Sequence, residues 1–215
     1  MTQDYAASVQ GVAVRVCRLN TDGTPATGTD AAYELQNFTV VEFTPEYENG
    51  DEYLTKSASG ALCVNYLAQN VLKRVTMSVS ICEPDPEFTE IIAGGTLLTD
   101  DSDPTKTVGY APEVAGTIAV PNGVGLEVWS NAITNGGRAN NNPYFRWVFP
   151  RIFMQPSGNR QIQNGVMAIT FEGYGNGNSN FGTGPGGDWN YISDRPYVYA
   201  RESTTPPSSA GYVSV

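Results

Sequence analysis

Residues 182–187 read GTGPGG, which places glycine at 182, 184 and 187, the spacing of a phosphate-cradling loop. Such a loop works where a buried strand enters the glycine turn and a helix leaves it, so that backbone N–H groups and the helix N-terminus face the phosphates. Here the chain continues DWNYISDRPYVYA, with Pro196 and alternating tyrosines where the helix should be, and Pro185 removes an amide donor. The glycines read as a loop, and no cofactor is expected.

The sequence contains no histidine. That removes the commonest metal ligand and the usual general base together, and with them Ser-His-Asp triads, Cys-His pairs and HExxH zinc sites. Paired carboxylates need no histidine. Glu127 in LEVW and Glu172 in TFEG lie in strand-like segments near aromatic residues, and Trp129, Trp147 and Trp189 could stack on sugar rings. A carbohydrate-binding or carbohydrate-active β-sandwich therefore stays open, although an acid on the wet face of a strand is ordinary. Asp100, Asp101 and Asp103 cluster in TDDSDPT without the alternation or closing glutamate of a calcium loop, and read as a solvated turn. No catalytic, cofactor-binding or metal-ligating residue is assigned, and the chain is not expected to be an enzyme. Cys17, Cys63 and Cys82 form an odd set without close spacing, which fits free thiols in a reducing compartment.

The elements that must position these residues read as strands. In 215 residues there are 23 glycines, 14 prolines and 12 tyrosines, a composition of short strands and frequent turns. Val12, Val14 and Val16 alternate with Ala13, Arg15 and Cys17. In VLKRVTMSVSI, Val71, Val75, Met77, Val79 and Ile81 share one face while Arg74, Thr76, Ser78 and Ser80 share the other, so one side is core and the other wet. YELQNFTVVEF alternates as well, and Asn49-Gly50 between tyrosine-bearing arms signals a hairpin. A single helix is expected after CEPDPEF, with Asp85 as cap, Pro86 in the first turn and Gly94-Gly95 at the end. Residues 97–122 read as loop. GLEVWS, YFRWVFPRIFM, GVMAITFEGYG and PYVYARES complete a set of about eight to ten strands, best buried as an antiparallel β-sandwich with one short helix and long loops. One domain over 1–202 is expected, followed by a flexible tail over 203–215 whose composition suits either a mobile end or an arm that orders on contact.

The net charge of −10 is uneven. The acid excess lies in the first half, where Glu42, Glu46, Glu48, Asp51 and Glu52 line the hairpin, whereas Arg138, Arg146, Arg151 and Arg160 fall in a span from Val128 to Phe171 that holds no acid. Specific nucleic-acid binding needs a basic footprint that such a chain lacks, but an acidic wall can let DNA slide by repelling it. No stretch approaches the roughly 18 apolar residues of a membrane span, and the first residues lack the pattern of a signal peptide, so a soluble protein without membrane contact is expected.

Read in order, VRVCRLNTDGTP, ENGDEY followed by ALCVNY, the strand ending in ICEPDPEFTEIIAGG, then GLEVWS, RWVFPRIFM and TFEGYGNG, resemble the major tail proteins of long-tailed, siphovirus-type bacteriophages, especially those of actinobacterial hosts. The resemblance covers roughly residues 9–195. It implies a structural virion protein made in the host cytoplasm, whose β-sandwich protomers join into hexameric rings enclosing a β-barrel. Stacked rings form a tail tube through which DNA passes without specific binding, with arms bridging neighbours. Implied partners are further copies of the chain and the tape measure, terminator and distal tail proteins. On this reading Glu46, Glu48, Asp51 and Glu52 are candidates to meet Arg138, Arg146, Arg151 and Arg160 of a neighbouring copy. A capsid decoration or tail-terminator protein with a similar sandwich is the related alternative.

Overall fold

The computed structural model describes residues 5–134, 136–158, 160, 164, 167–182, 194–208 and 210–213. The fold is mainly β and antiparallel, with one short helix. Its strands are β1 (Ala7–Arg18), β2 (Ala32–Leu35), β3 (Phe38–Glu48), β4 (Glu52–Lys56), β5 (Leu62–Leu67), β6 (Val71–Ile81), β7 (Thr96–Thr99), β8 (Thr107–Ala111), β9 (Val124–Thr134), β10 (Gly137–Arg138), β11 (Tyr144–Ser157), β12 (Ile169–Asn176), β13 (Val198–Glu202) and β14 (Gly211–Val213), and the helix α1 spans Pro86–Ala93. Ten strands make one sheet in the order β14-β2-β1-β9-β11-β12-β6-β3, with β10 beside β9 and β13 beside β11. The other four form two-stranded pairs, β4-β5 and β7-β8.

The long strand β11 joins the two halves of the sheet. Its first half pairs with β9 and β13, its second half with β12. Alternation in each strand aims one set of side chains at a shared core: Val14 and Val16 from β1, Val75, Met77, Val79 and Ile81 from β6, Leu126 and Val128 from β9, Phe149 and Ile152 from β11, and Ile169 and Phe171 from β12. One sheet whose two halves pack their apolar side chains into a shared core is consistent with a β-sandwich, and the described residues form no closed barrel within the protomer.

Helix α1 closes that core. The Asp85 carboxylate accepts from the backbone N–H groups of Glu87 and Phe88 at 3.1 and 2.9 Å, and Pro86 occupies a position where its missing N–H costs nothing. Phe88, Ile91 and Ile92 recur at helical spacing and are buried. Phe88 meets Phe171 edge-on at 5.8 Å, and fully burying such a side chain is worth about 1.5–3 kcal/mol. The Tyr33 hydroxyl donates to Asp85 at 2.7 Å, so one carboxylate caps the helix and ties it to β2. No helix among the described residues is long and apolar enough to cross a membrane.

Three elements differ from the sequence expectation. Asn49-Gly50 is not a hairpin turn: β3 pairs with β6 and β4 with β5, so the chain runs straight through this dipeptide. The glycine is needed for close approach, since a Cβ on Gly50 would lie 1.9 Å from the Ala68 carbonyl oxygen. Residues 97–122, read as loop, contain the β7–β8 pair, whose acidic turn lies between two short Thr/Leu- and Tyr-bearing strands. Within 203–215, expected as a flexible tail, β14 pairs with the outer edge of β2 and Tyr212 packs edge-on against Tyr33 at 5.3 Å. Gly184, Gly187 and Trp189 lie outside the described residues.

Candidate functional site

Two surfaces stand out, a wet wall and an apolar arm. The wall is the outer face of β3, β6, β12 and the second half of β11. Register aligns its side chains in rows: Glu42, Ser78, Glu172 and Gln155 in one, Thr44, Thr76, Tyr174 and Phe153 in the next, with Ser80, Thr170 and Ser157 on the far side. The opposite parity of the same strands carries the core, so core packing fixes the wall by alternation alone. Ser80 and Thr170 hydroxyls hydrogen-bond across strands at 2.9 Å. Among the described residues Glu42 and Glu172 have no ion pair. The outer edge of β3 has no partner strand there either.

The arm is the continuation of the β3–β6 ladder. After Glu48 meets Val71, Gly50 N–H donates to the Asn70 side chain at 3.1 Å and Ala68 N–H to the Asp51 carbonyl at 3.0 Å, and the ladder resumes as β4-β5. The turn lies at Ser57–Ala61, closed by Ser57 N–H to the Ala61 carbonyl at 2.7 Å. The ribbon beyond Glu48 is roughly 25 Å long at the rise of a strand. Tyr53, Leu54, Leu62, Val64, Tyr66 and Leu67 are between 47% and 65% exposed. Tyr53, Val64 and Tyr66 share one face, with the two tyrosine rings 6.3 Å apart, while Leu54 and Leu67 point to the other. One face of the ribbon is therefore largely apolar, the other mixes Leu54 and Leu67 with Glu52 and Asn65, and both are exposed.

The eight charged candidates do not form two matching groups. Asp51 and Glu52 sit at the start of the arm, exposed and without an ion pair among the described residues. Glu46 and Glu48 are engaged within the protomer: Arg74 Nε donates to Glu46 at 2.5 Å, and Lys73 donates to Glu48 at 3.0 Å. The hydrogen bond from Arg74 lowers the pKa of Glu46 and, reciprocally, raises that of Arg74. Arg138 is exposed, donates to the Asn131 side chain at 2.8 Å and lies over the Tyr144 ring, and Arg160 is exposed. Arg151 is half-buried and donates to Asn178 at 3.3 Å.

Arg146 corrects the expectation of an inter-subunit contact. It is 1% exposed and donates through Nε and Nη2 to Glu127 at 2.9 and 2.7 Å. Arg15 reaches the same carboxylate at 3.0 Å, and both guanidiniums lie over the Trp129 ring, at 5.0 and 5.4 Å from its centroid. Glu34 stands 3.9 Å from Arg15, and burial raises its pKa. This cluster welds β1, β9 and β11 on the face opposite the helix. The readable signal was an arginine inside YFRWVFPRIFM, apolar at both parities: a strand buried on both faces can hold an arginine only against a carboxylate.

The same geometry separates Glu127 and Glu172 too far to act as a glycosidase pair. Glu127 aligns with Val148 of β11 and Glu172 with Gln155, a separation of roughly 23 Å along the strand. Paired glycosidase carboxylates stand about 5–9.5 Å apart. Asp100 and Asp103 each accept from the backbone and hydroxyl of a residue two further on, Ser102 and Thr105, which lowers their pKa values and holds the turn. Among the described residues no group of three or more acids or cysteines could hold a metal ion. In comparison with known proteins, the chain matches no family model and no curated protein.

Proposed function

We propose that this protein is a structural, self-assembling subunit of a bacteriophage tail tube, whose copies join into rings, most simply hexameric, that stack around a channel for DNA. The observation that carries this reading is the arm. Six large apolar side chains, each about half exposed, give an uncovered surface on the order of several hundred Å², which soluble monomers rarely carry without a partner. A two-stranded ribbon with no third strand is also marginal alone in water. Covering both faces by neighbouring copies resolves both problems, and an arm on one surface that fits a receptor on another is a heterologous contact, which propagates as rings or filaments.

The wall supports the same reading. Its hydroxyls and unpaired carboxylates suit a lumen that repels a phosphate backbone and so lets it slide. The unpartnered edge of β3 is where a neighbouring sheet would join, and closure into a ring would remove an edge that otherwise invites uncontrolled pairing. The resemblance of the ordered segments to major tail proteins adds the specific identity. Electron microscopy of the concentrated protein tests the proposal: filaments with an axial channel are expected, and discrete monomers at every concentration would sink it.

A further inference from the structure

We propose that the wall carries a latent polyanion contact at Arg74 that Glu46 keeps closed, so that the wall as built does not hold a phosphate chain. The tube reading gives this inference its biological meaning, while the masking itself is a property of the protomer.

Arg74 belongs to β6 and points to the wall, beside a shallow polar depression of about 460 Å³ bordered by Glu42, Thr76, Ser78, Glu172 and Tyr174. Its guanidinium is a planar fork of donors that matches phosphate oxygens as well as it matches a carboxylate. On this face one edge of that fork is engaged and its charge is countered. Nε and Nη2 donate to the two carboxylate oxygens of Glu46 at 2.5 and 3.3 Å, and the guanidinium lies 5.4 Å from the centre of the Tyr174 ring. The pair takes two of the five guanidinium N–H donors and sets a carboxylate charge directly against the cation, so that what a phosphate would meet here is a neutralised arginine, with the aromatic ring near the guanidinium.

The other cations near the wall are engaged too. Lys73 is held by Glu48 at 3.0 Å, with Glu46 at 4.0 Å, and Arg151 by Asn178. Two carboxylates on the wall, Glu42 and Glu172, have no such partner among the described residues. Placing Glu46 opposite Arg74 gains little as a structural brace, because a surface ion pair contributes at most modestly to stability. Its larger effect is on what the wall offers a passing polyanion. An unmasked arginine would be a point of adhesion repeated in every copy around a channel.

The test measures binding of the full-length protein to a short DNA duplex as a function of salt. Wild type is expected not to bind. Glu46→Gln is expected to bind at low salt, with a salt dependence corresponding to about one added phosphate contact. Glu42→Gln makes the same charge change on the same wall without uncovering Arg74, and is expected to remain non-binding. Glu46→Gln/Arg74→Gln is expected to return to wild-type behaviour. Glu46→Ser, which removes the same acceptor, guards against a fold defect peculiar to one variant. No binding by either Glu46 variant, or equal binding by Glu42→Gln, overturns the masking. Filament formation by the same preparations bears on the tube reading alone: filaments with no effect at Glu46 refute the mask and leave the tube, and the converse leaves the mask and refutes the tube.

Discussion

Glu127→Ala is the perturbation whose consequence follows most directly from the geometry. Glu127 is 1% exposed and accepts from Arg146 at 2.7 and 2.9 Å and from Arg15 at 3.0 Å. Removing it deletes the carboxylate that two guanidiniums share while leaving both charges packed on Trp129. Breaking a buried ion pair by removing one partner costs about 3–5 kcal/mol. A domain of this kind has about 5–15 kcal/mol in total, so the variant loses a large part of its stability. Arg146→Met should cost less, because Glu127 retains Arg15 and the aliphatic stem is replaced in kind. Urea denaturation gives the numbers: the midpoint should fall with an unchanged slope, which marks a loss of stability without a change in the surface exposed on unfolding. A cost below about 1 kcal/mol for Glu127→Ala would refute the reasoning, since a loss that small is typical of exposed pairs.

Three further outcomes are expected. Tyr53→Ser/Tyr66→Ser should leave the melting of the protomer within about 0.5 kcal/mol of wild type, because both side chains are exposed, yet abolish filaments in sedimentation; filaments of normal length would contradict the role of the arm. Burial raises the pKa values of Tyr33 and Tyr212, the latter to about 12, above the ordinary value near 10 of the unfolded chain. Their contribution is therefore complete below about pH 10 and is lost as pH rises through the folded values, and Tyr212→Phe should lessen that alkaline loss; an identical fall in stability would count against it. Cys63 is exposed on the arm, whereas Cys17 is buried with its thiol pushed up to about 12, so a thiol reagent at pH 8 should label Cys63 and spare Cys17 in the folded protein, with peptide mapping as the readout.

How far the sequence could be read depended on how local each signal was. The β6 alternation and the α1 cap are written in consecutive residues, and Val75, Met77, Val79, Ile81, Asp85 and Pro86 take the places their spacing indicates. Asn49-Gly50 misled because a turn-prone dipeptide describes only its own backbone, while the partner of β3 lies beyond the whole β4-β5 ribbon. The wall was legible as a wet strand face, but its rows depend on pairing β3, β6, β12 and β11 across the chain. Arg146 looked available because charge is ordinarily exposed. Its burial is set by Glu127 and Arg15, which the fold brings together from two other strands. The arm was the least legible feature, since Tyr53, Leu54, Val64 and Tyr66 have the composition of core strands and only the three-dimensional arrangement leaves them uncovered.

A helical reconstruction of the assembled protein tests the tube proposal most directly. The expected result is a hollow filament in which Glu42, Ser78, Glu172 and Gln155 face the channel and the β4-β5 arm is buried against neighbouring copies. A filament with that wall turned outward and the arm free in solvent would contradict it.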